Sequence, residues 1–470
     1  MALEFLRRRE VVRLEQFAPN TMLLDYLRLT EKSRGTKEGC NEGDCGACTV
    51  VLGEVHEGRM RYKAVNACIL FLGQIHGKEL ITVEDLAEGG KLHPIQQAMV
   101  DLHASQCGFC TPGFVMSLFA LGHSHAKVSR QDVVTALAGN LCRCTGYKPI
   151  IDAGLKACHN LRDQFDEAEK KSVAALASTQ KNDVMVGTGD SFFAAPASAL
   201  ALATLTAKHP QARVVAGATD VGLWVTKQFK LQNQIISTGR ANDFALITQT
   251  AVGLRLGAGA TYSEAYAALG NFASDLGTVV HRIGSVQVRN SGTIGGNIAN
   301  GSPIGDMPPM LIALGATLTL RHADTERKIP LENFFIDYGK QDRKDGELVW
   351  AIDIPKPKAN QQFKAYKVSK RFDQDISAVL GAFLFTMDSG KIIEARIAFG
   401  GMAAIPKRAA KTEAALKNKT LSEALLIAIG DYTPISDARA SAEYRNETAQ
   451  ALLTKALMEL QGTEYTRVVA

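Results

Sequence analysis

The stretch that decides the fold is Gly39–Val50, GCNEGDCGACTV, which places Cys40, Cys45 and Cys48 in the spacing C-x4-C-x2-C. A fourth cysteine, Cys68, follows further along the chain. The small residues Gly39, Gly43, Gly46 and Ala47 lie next to or between the cysteines. Glycine allows a backbone to wrap closely around a bound group and aim its N–H groups at it. The stretch is therefore predicted to be a loop around a metal centre with four cysteine ligands.

The spacing favours an iron–sulfur cluster over zinc at this loop. C-x4-C-x2-C with a later fourth cysteine is the plant-type [2Fe–2S] pattern. Structural zinc sites usually use two paired C-x2–4-C knuckles, whereas here one pair is extended to a triplet. The gap between Cys48 and Cys68 is shorter than in plant-type proteins, so Cys68 is the ligand that the motif fixes least. A structural zinc site and unrelated buried thiols remain the alternatives.

A second set of four cysteines follows as CGFC and CRC, with Cys107 and Cys110 in the first motif and Cys142 and Cys144 in the second. A one-residue gap suits a pair of ligands on one iron better than two ligands of one tetrahedral zinc ion. A thioredoxin-like redox motif would need a βαβ setting, which this segment lacks. The set is therefore predicted to hold a second [2Fe–2S] cluster.

Four helices are predicted around the second set, because apolar residues recur there at helical spacing. Ser129 followed by Asp132 is a capping box that marks one helix start, and Pro112 suits the first turn of another. CGFC would end the first helix and begin the second, and CRC would follow the third, so the two motifs are expected to meet. The apolar patterns cover 95–106, 112–123, 129–140 and 148–161.

Composition limits the class of protein. Eight of nine cysteines fall between Cys40 and Cys144 of a 470-residue chain, which is unlike a small secreted disulfide scaffold. The ninth, Cys158, lies on a helical apolar face and is predicted to be an inert core thiol. The net charge is +5 without basic blocks, so no nucleic-acid partner is expected. No apolar run reaches ~18 residues and no secretory signal is recognised, so we expect a cytoplasmic protein without membrane contact.

Five segments differ in pattern. The first mixes short strands with glycine turns, the second is helical, and the third is a charged and then small-residue linker, partly helical. The fourth alternates strands and helices, and the last is a sheet that ends in helices. Their predicted bounds are 1–85, 86–160, 161–182, 183–355 and 360–470.

Two glycine-rich turns in the fourth segment predict a dinucleotide site. VVAGATDVGLW (214–224) reads as a strand entering a turn, and RNSGTIGGNIANGSPIGD (289–306) is a second small-residue stretch that ends at Asp306, a possible acceptor for a ribose. Such turns expose consecutive backbone N–H groups that bind diphosphate oxygens. LGAGATYSEA (256–265) begins like the dinucleotide fingerprint, but Tyr262 occupies its third glycine position, so no Rossmann domain is predicted.

Together these motifs resemble the molybdenum-hydroxylase family, and most of all the iron–sulfur and flavin subunits of the two-subunit xanthine dehydrogenases of bacteria. The resemblance covers essentially the whole chain. It implies a multidomain α+β fold: a β-grasp [2Fe–2S] ferredoxin-like domain, an all-α four-helix [2Fe–2S] domain, a vanillyl-alcohol-oxidase-type FAD domain and a C-terminal α+β flavoprotein domain like that of carbon monoxide dehydrogenase.

The resemblance also implies which residues contact FAD. Tyr338 falls near the nicotinamide-binding region, and Ile283 stands where animal members commonly have an aromatic residue stacked on the flavin ring. The stretch 370–375 resembles a loop that tunes oxidase against dehydrogenase behaviour, and a solvated surface turn is an equal alternative. The implied FAD contacts are Ala216, Gly217, Ala218, Thr219, Asp220, Thr293, Gly295, Gly296, Asn297, Asp306, Trp350 and Lys367.

The activity that the resemblance implies is electron transfer during purine catabolism. Hypoxanthine or xanthine would be oxidised to urate at a molybdopterin cofactor on a large partner subunit, in an (αβ)2 heterotetramer. Electrons would pass through the helical-domain cluster, the ferredoxin-like cluster and FAD to NAD⁺. No catalytic acid–base pair and no molybdopterin domain are expected on this chain. The alternatives are the same subunit of an aldehyde, carbon monoxide or N-heterocycle hydroxylase, a self-sufficient iron–sulfur flavoprotein reductase, and a zinc-and-nucleotide binding module.

Overall fold

The computed structural model describes residues 1–177, 179 and 182–462. The chain divides into two compact units. The first unit comprises Met1–Asn242 together with Gly284–Gly292. The second unit comprises Asp243–Ile283 and the chain from Thr293 onward.

The N-terminal part of the first unit is a mixed five-stranded sheet in the order β2-β1-β5-β3-β4. Strand β1 runs parallel to β5, and the other pairs are antiparallel. Alternate residues such as Phe5, Val50 and Leu52 are buried on the core face, as period-2 strands require. The elements are β1 Leu3–Arg7, β2 Glu10–Leu14, a short helix α1 Leu23–Asp25, β3 Thr49–His56, β4 Arg59–Asn66 and β5 Glu79–Ile81.

Four helices follow, as the apolar spacing predicts. The capping box of Ser129 and Asp132 is confirmed, and Pro112 does lie in the first turn of its helix. The first helix ends five residues earlier than its apolar pattern, because His103 and Gly108 adopt left-handed φ angles of 51° and 82° and turn the chain into the CGFC loop. The helices are α2 Pro94–Asp101, α3 Thr111–Ser124, α4 Arg130–Leu137 and α5 Lys148–Ala157.

The stretch interpreted as a linker contains a packed helix, α6 Gln164–Ala177. Its Phe165, Ala168 and Leu176 are buried. These apolar residues recur at helical spacing among charged ones, so one face of the helix can join a core although the overall composition is polar.

The rest of the first unit up to Asn242 is a four-stranded sheet in the order β6-β7-β9-β8 with two helices. Strands β7, β8 and β9 are parallel, and β6 is antiparallel to β7. The predicted strand-to-turn reading of 214–224 is confirmed by the end of β8. The elements are β6 Val184–Thr188, β7 Ser191–Ala195, α7 Ala199–Lys208, β8 Arg213–Val215, α8 Val221–Thr226 and β9 Gln234–Ser237.

The second unit begins with an antiparallel sheet in the order β10-β11-β16-β12-β13 and a separate hairpin, β14-β15. The fingerprint-like stretch at 256–265 leaves β11, which is antiparallel to both neighbours, so the prediction that this is no Rossmann turn is confirmed. The elements are β10 Ile247–Gln249, β11 Gly253–Gly257, α9 Tyr262–Phe272, α10 Ser274–His281, α11 Val286–Ser291 (part of the first unit), α12 Ile294–Asn300, α13 Met307–Ala313, β12 Thr317–His322, β13 Thr325–Pro330, β14 Phe335–Asp337, β15 Lys340–Gln341 and β16 Leu348–Pro355.

A second sheet, β17-β18-β19-β20 with β21 beside β19, completes the second unit. Helix α16 packs on it through Ala449, Leu453 and Leu457, which are fully buried. This confirms the predicted sheet with terminal helices. The elements are β17 Gln361–Val368, β18 Val379–Asp388, β19 Lys391–Gly400, β20 Lys407–Arg408, α14 Ala410–Leu416, β21 Lys419–Thr420, α15 Leu421–Ala424 and α16 Ala442–Leu460.

The predicted multidomain α+β class is confirmed. Within the described residues, no helix is both long enough and apolar enough to span a bilayer.

Candidate cofactor sites

The first cysteine group forms one cluster of sulfur atoms in the first unit. The backbone N–H of Cys40 donates to the sulfur of Cys45 at 3.3 Å, and the N–H of Cys45 donates to the sulfur of Cys40 at 3.3 Å. The thiol of Cys68 contacts those of Cys40 and Cys48. Cys68, which the motif fixed least, is thus brought into contact with the other predicted ligands.

These thiols share protons. Hydrogen bonds from Cys45 and Cys68 hold the pKa of the Cys40 thiol below its ordinary value. The same contacts raise the pKa of Cys45 and of Cys68. Metal binding requires thiolates, and four converging sulfurs fit an iron–sulfur cluster.

The loop reaches this geometry through left-handed residues. Gly43 and Gly46 have φ angles of 87° and 67°, and Asn41 has a φ of 57°. The Asn66 side chain donates to the Gly43 carbonyl at 2.8 Å and fixes the loop to the end of β4. The small residues that the sequence places between the cysteines are therefore required by the backbone path.

The second cysteine group brings CGFC and CRC together, as predicted. The sulfurs of Cys107 and Cys144 lie 3.7 Å apart, and Cys110 contacts Cys142. The sulfur of Cys142 accepts from the Cys144 N–H at 3.4 Å and from the Thr145 hydroxyl at 3.2 Å. Although burial opposes the shift, the hydrogen bonds from Thr145 lower the pKa of Cys142. This donor set also fits a four-cysteine cluster.

The two groups differ in exposure. Cys48 and Cys68 of the first group are buried, whereas Cys107 and Cys144 of the second are exposed. The second group therefore lies nearer to solvent than the first.

A direct hydrogen bond joins the two cysteine loops. The N–H of Leu141, next to Cys142, donates to the carbonyl of Cys45 at 2.9 Å. A side chain on Gly113 would overlap the Gly46 carbonyl, so glycine there lets helix α3 approach the first loop closely. The two loops are in backbone contact.

Gln287 in α11 adds a buried polar junction that the sequence does not reveal. Its amide nitrogen donates to Thr49 at 3.2 Å, to Ser117 at 3.2 Å and to Asn140 at 3.1 Å. The Asn140 side chain in turn donates to the Gly46 carbonyl at 3.1 Å. The Gln287 side chain, from the fourth segment, thus joins β3, the strand that follows the first cysteine loop, to two residues of the helical domain.

The predicted FAD turn of the first unit is built for close backbone approach. Ala218 has a left-handed φ of 59°, and a side chain on Gly217 would overlap the Ser291 carbonyl. The Gln74 side chain donates to the Ala216 carbonyl at 2.6 Å. The turn 216–220, which also holds Thr219 and Asp220, is therefore held against the ferredoxin-like domain.

In the second unit the predicted FAD stretch opens α12. The Thr293 hydroxyl accepts from the Gly296 N–H at 2.9 Å and caps this helix. Gly295 donates to the Ala258 carbonyl at 3.0 Å, and a side chain there would overlap Ala258. Close packing thus accounts for Gly295, a reason that differs from the diphosphate contact the sequence suggests. Among the residues that the structure describes, the side-chain oxygen of Asn297 is buried and has no protein partner, which fits a polar ligand.

Asp306 and Lys367 form a buried ion pair with Ser377. The Lys367 ammonium lies 2.5 Å from one Asp306 oxygen, and the Ser377 hydroxyl donates to the other at 2.6 Å. The side chains of Lys367 and Asp306 are 2% and 7% exposed. Both predicted FAD contacts are brought together, and both carboxylate oxygens already have protein partners.

The other residues that the resemblance places near the flavin or the nicotinamide differ in their surroundings. The Trp350 ring is covered by the Arg321 guanidinium at 4.3 Å and by Phe244 at 5.3 Å between ring centroids. Tyr338 is 74% exposed in the turn of the β14-β15 hairpin. Ile283 is partly buried after α10.

The 370–375 loop is anchored rather than free. Arg282 donates to the carbonyls of Lys367 at 2.8 Å and Phe372 at 3.1 Å and to the Ser369 hydroxyl at 3.0 Å. Its guanidinium also lies over the Phe372 ring at 4.4 Å. The alternative of a simple solvated turn describes Arg371 and its neighbours, but not the base of the loop.

Cys158 is a core thiol, as predicted. It is fully buried, its thiol donates to the Leu118 carbonyl at 3.3 Å, and burial raises its pKa to about 12.

A buried His–Asp–His group was not predicted. One Asp163 oxygen accepts from His93 at 2.7 Å and from His123 at 2.9 Å, and the other accepts from the Phe165 N–H at 2.9 Å. Burial alone would raise the pKa of Asp163, but the hydrogen bonds from His123 and His93 hold this pKa below its ordinary value. Because hydrogen bonds occupy this carboxylate, we interpret the group as a tie between the helical domain and α6.

The structure thus brings together each set of four cysteines. The twelve residues assigned to FAD fall into two groups: 216–220 in the first unit and the remaining seven in the second. Three features define the class of an iron–sulfur flavoprotein: the two groups of four cysteine sulfurs, the tightly packed turn 216–220 and the buried Asn297 oxygen.

Comparisons with known proteins agree with this class. Family models match along the chain in order. They describe a 2Fe-2S iron-sulfur cluster binding domain (10–72), a [2Fe-2S] binding domain (82–155), an FAD binding domain in molybdopterin dehydrogenase (188–357) and a CO dehydrogenase flavoprotein C-terminal domain (364–460).

The similar curated proteins are longer than this chain. Xanthine dehydrogenase/oxidase of Gallus gallus is 29% identical over 87% of this chain and 36% of its own length. Aldehyde oxidase 1 of Macaca fascicularis is 30% identical over 82% of this chain and 33% of its own length. A reconstituted CO dehydrogenase from Oligotropha carboxidovorans is similar in structure, with a TM-score of 0.53 and 25% identity over 59% of this chain and 99% of that chain.

The chain spans about a third of the length of the curated relatives it matches. It belongs to the molybdenum hydroxylase family, as the portion that carries two [2Fe–2S]-binding domains and an FAD-binding domain.

Proposed function

We propose that the chain is the electron-transfer subunit of a xanthine dehydrogenase. Its two clusters and FAD would carry electrons from a molybdenum centre on a large partner subunit to NAD⁺, while that partner oxidises hypoxanthine or xanthine to urate. Iron–sulfur clusters carry single electrons and a flavin handles one or two, so the set converts between the two regimes. We assign the clusters to the two four-cysteine groups, and FAD to the two residue groups described above.

The observation that carries the direction of transfer is the difference in exposure of the two cysteine groups. Cys107 and Cys144 reach the surface, and the apolar side chains of Phe109 and Leu141 beside them are 47% and 45% exposed. Exposed apolar residues around a redox site are typical of a surface that a partner covers. Electrons would enter at this group and pass to the buried first group through the loops joined by Leu141 and Cys45.

The exit from the first group leads towards the predicted FAD turn. Gly222 of α8 packs against Ile69, the residue after Cys68, so closely that a side chain would overlap the Ile69 carbonyl. Gln74 holds the Ala216 carbonyl of the same turn. These contacts, all inside the first unit, support the order helical-domain cluster, ferredoxin-like cluster, FAD.

We propose that segments 1–85, 86–160, 183–355 and 360–470 are the domains of this subunit and that 161–182 is the linker between the second and the third. We also propose an (αβ)2 heterotetramer with the molybdopterin-binding subunit, in the cytoplasm, where cysteine ligands stay reduced. The tuning role of the 370–375 loop and the nicotinamide contact of Tyr338 belong to the same proposal.

The test compares the chain alone with the reconstituted complex. The isolated chain should reduce artificial acceptors with NADH and should not oxidise xanthine. Adding the large subunit should give xanthine-dependent NAD⁺ reduction. Xanthine oxidation by the partner-free chain would contradict the proposal, and a native preparation that contains no large molybdenum-binding subunit would favour a self-sufficient reductase.

An aldehyde-oxidising complex is the second candidate, because aldehyde oxidase 1 of Macaca fascicularis matches at 30% identity as well. The same reconstituted complex distinguishes the two by its relative rates with xanthine and with an aldehyde.

A further inference from the structure

A lysine outside the predicted sites lies on the first cysteine loop. Lys227, at the end of α8, donates from its ammonium to the Cys40 carbonyl at 2.5 Å. The same ammonium lies 3.5 Å from a carboxylate oxygen of Glu42, two residues further along the loop. Sequence separation of 187 residues explains why the cysteine motif gives no sign of it.

The position of this charge matters because a cluster changes its charge when it is reduced. One electron added from a reductant makes the cluster more negative by one unit, and a nearby cation stabilises that state. The Lys227 side chain is 40% exposed and that of Glu42 is 41% exposed, so the two charges are only partly screened by water. Net charge, hydrogen bonds and solvent exposure around a cluster are the terms that set its reduction potential.

We propose that Lys227 raises the reduction potential of the cluster held by the Cys40 group, and that Glu42 limits this effect. Lys227 supplies no ligand in this role: it acts through the positive charge that its hydrogen bond to the Cys40 carbonyl holds at the loop. The inference rests on the assignment of the Cys40 group as a cluster site and is independent of the substrate and of NAD⁺.

The structure also supplies the matched variants. Lys227→Met keeps an apolar stem of similar length and removes the charge, and Lys227→Arg keeps the charge. Lys230→Met removes an equal charge from an exposed lysine three residues away. Glu42→Gln removes the opposing charge. The helical-domain cluster is an internal reference in every sample.

The experiment is a dithionite titration of the full chain with both clusters, followed by EPR at low ionic strength. Lys227→Met should lower the midpoint potential of the ferredoxin-like cluster by about 30–60 mV. This shift corresponds to a change of about three- to tenfold in the reduction equilibrium, at 59 mV per tenfold for one electron. Glu42→Gln should raise it. Lys227→Arg, Lys230→Met and the second cluster should stay near the wild-type values, and the Lys227→Met shift should shrink in ~1 M salt.

A Lys227→Met protein with full iron content and a shift under about 10 mV, less than 1.5-fold on the same scale, would overturn the inference. If Lys227→Met instead assembles without iron, Glu42→Gln decides: a raised potential supports the charge effect, and an unchanged potential refutes it. If the reconstituted complex does not oxidise xanthine, the midpoint potentials of the two clusters can still be measured. A failure of the proposed function can therefore be distinguished from a failure of this inference.

Discussion

The buried pair of Lys367 and Asp306 allows a quantitative test of the second unit. Lys367→Met removes the ammonium and leaves the Asp306 carboxylate without its ion partner in a site where the two side chains are 2% and 7% exposed. Breaking a buried pair on one side costs ~3–5 kcal/mol because the remaining charge is desolvated. Ser377 still donates to Asp306 at 2.6 Å, so we expect the lower end of that range.

A double-mutant cycle separates pairing from packing. Asp306→Asn alone leaves a buried ammonium and should also cost ~3 kcal/mol. The double variant Lys367→Met with Asp306→Asn holds no unpaired charge, so it should lose only ~1–2 kcal/mol, far less than the sum. As a matched surface control, Lys328→Met removes a lysine that is 58% exposed and 3.6 Å from Asp353, and it should cost below ~1 kcal/mol.

Tryptophan fluorescence makes the assay specific for the second unit. The sequence holds two tryptophans, and in a Trp224→Phe background only Trp350, in β16, reports. Urea unfolding of FAD-free chain then gives the free energy of unfolding by linear extrapolation. A loss below ~1 kcal/mol for Lys367→Met, or a double variant that loses the sum of the two single losses, would refute the reasoning.

Three further predictions concern the first unit. Cys142→Ser should remove about two of four irons per chain and leave FAD bound, while Cys158→Ser should leave iron content unchanged. Glu79 is buried, and desolvation raises its pKa from 4.5 to about 7. The folded state therefore holds the proton that the unfolded chain loses, and stability falls as the pH rises through that window. Glu79→Gln should abolish this fall, so that from the lower to the upper end of this pH window the variant gains ~3 kcal/mol of unfolding free energy over wild type, as measured by urea titrations. An equal dependence of stability on pH in the two proteins would contradict the prediction. Gln287→Leu should cost ~1–3 kcal/mol by leaving its buried partners short of a donor, whereas the exposed Gln228→Leu should stay within ~0.5 kcal/mol.

Local patterns allowed most of the fold to be predicted. Helix starts at Ser129 and near Pro112 depend on residues a few positions apart, and both are found where the sequence places them. The end of α2 was predicted too late, because the apolar pattern continues through residues whose backbone must turn into the CGFC loop. The linker prediction overlooked a narrow apolar face on α6 for a similar reason: composition averages over faces.

The cysteine groups were predictable because spacing within each motif carries the information. The ion pair of Asp306 and Lys367, the Gln287 junction and the Lys227 contact were not, because each joins residues that are distant in sequence. Gly295 shows a further limit: a glycine in a small-residue stretch suggests a phosphate contact, yet its contact with Ala258 already requires the missing side chain.

The most direct test of the central claim is the cofactor content of the purified chain. We expect about four irons and one FAD per chain, with two distinguishable [2Fe–2S] EPR signals on reduction, because the two cysteine groups differ in burial. Stoichiometric zinc in place of iron, or a single signal with about two irons, would contradict it.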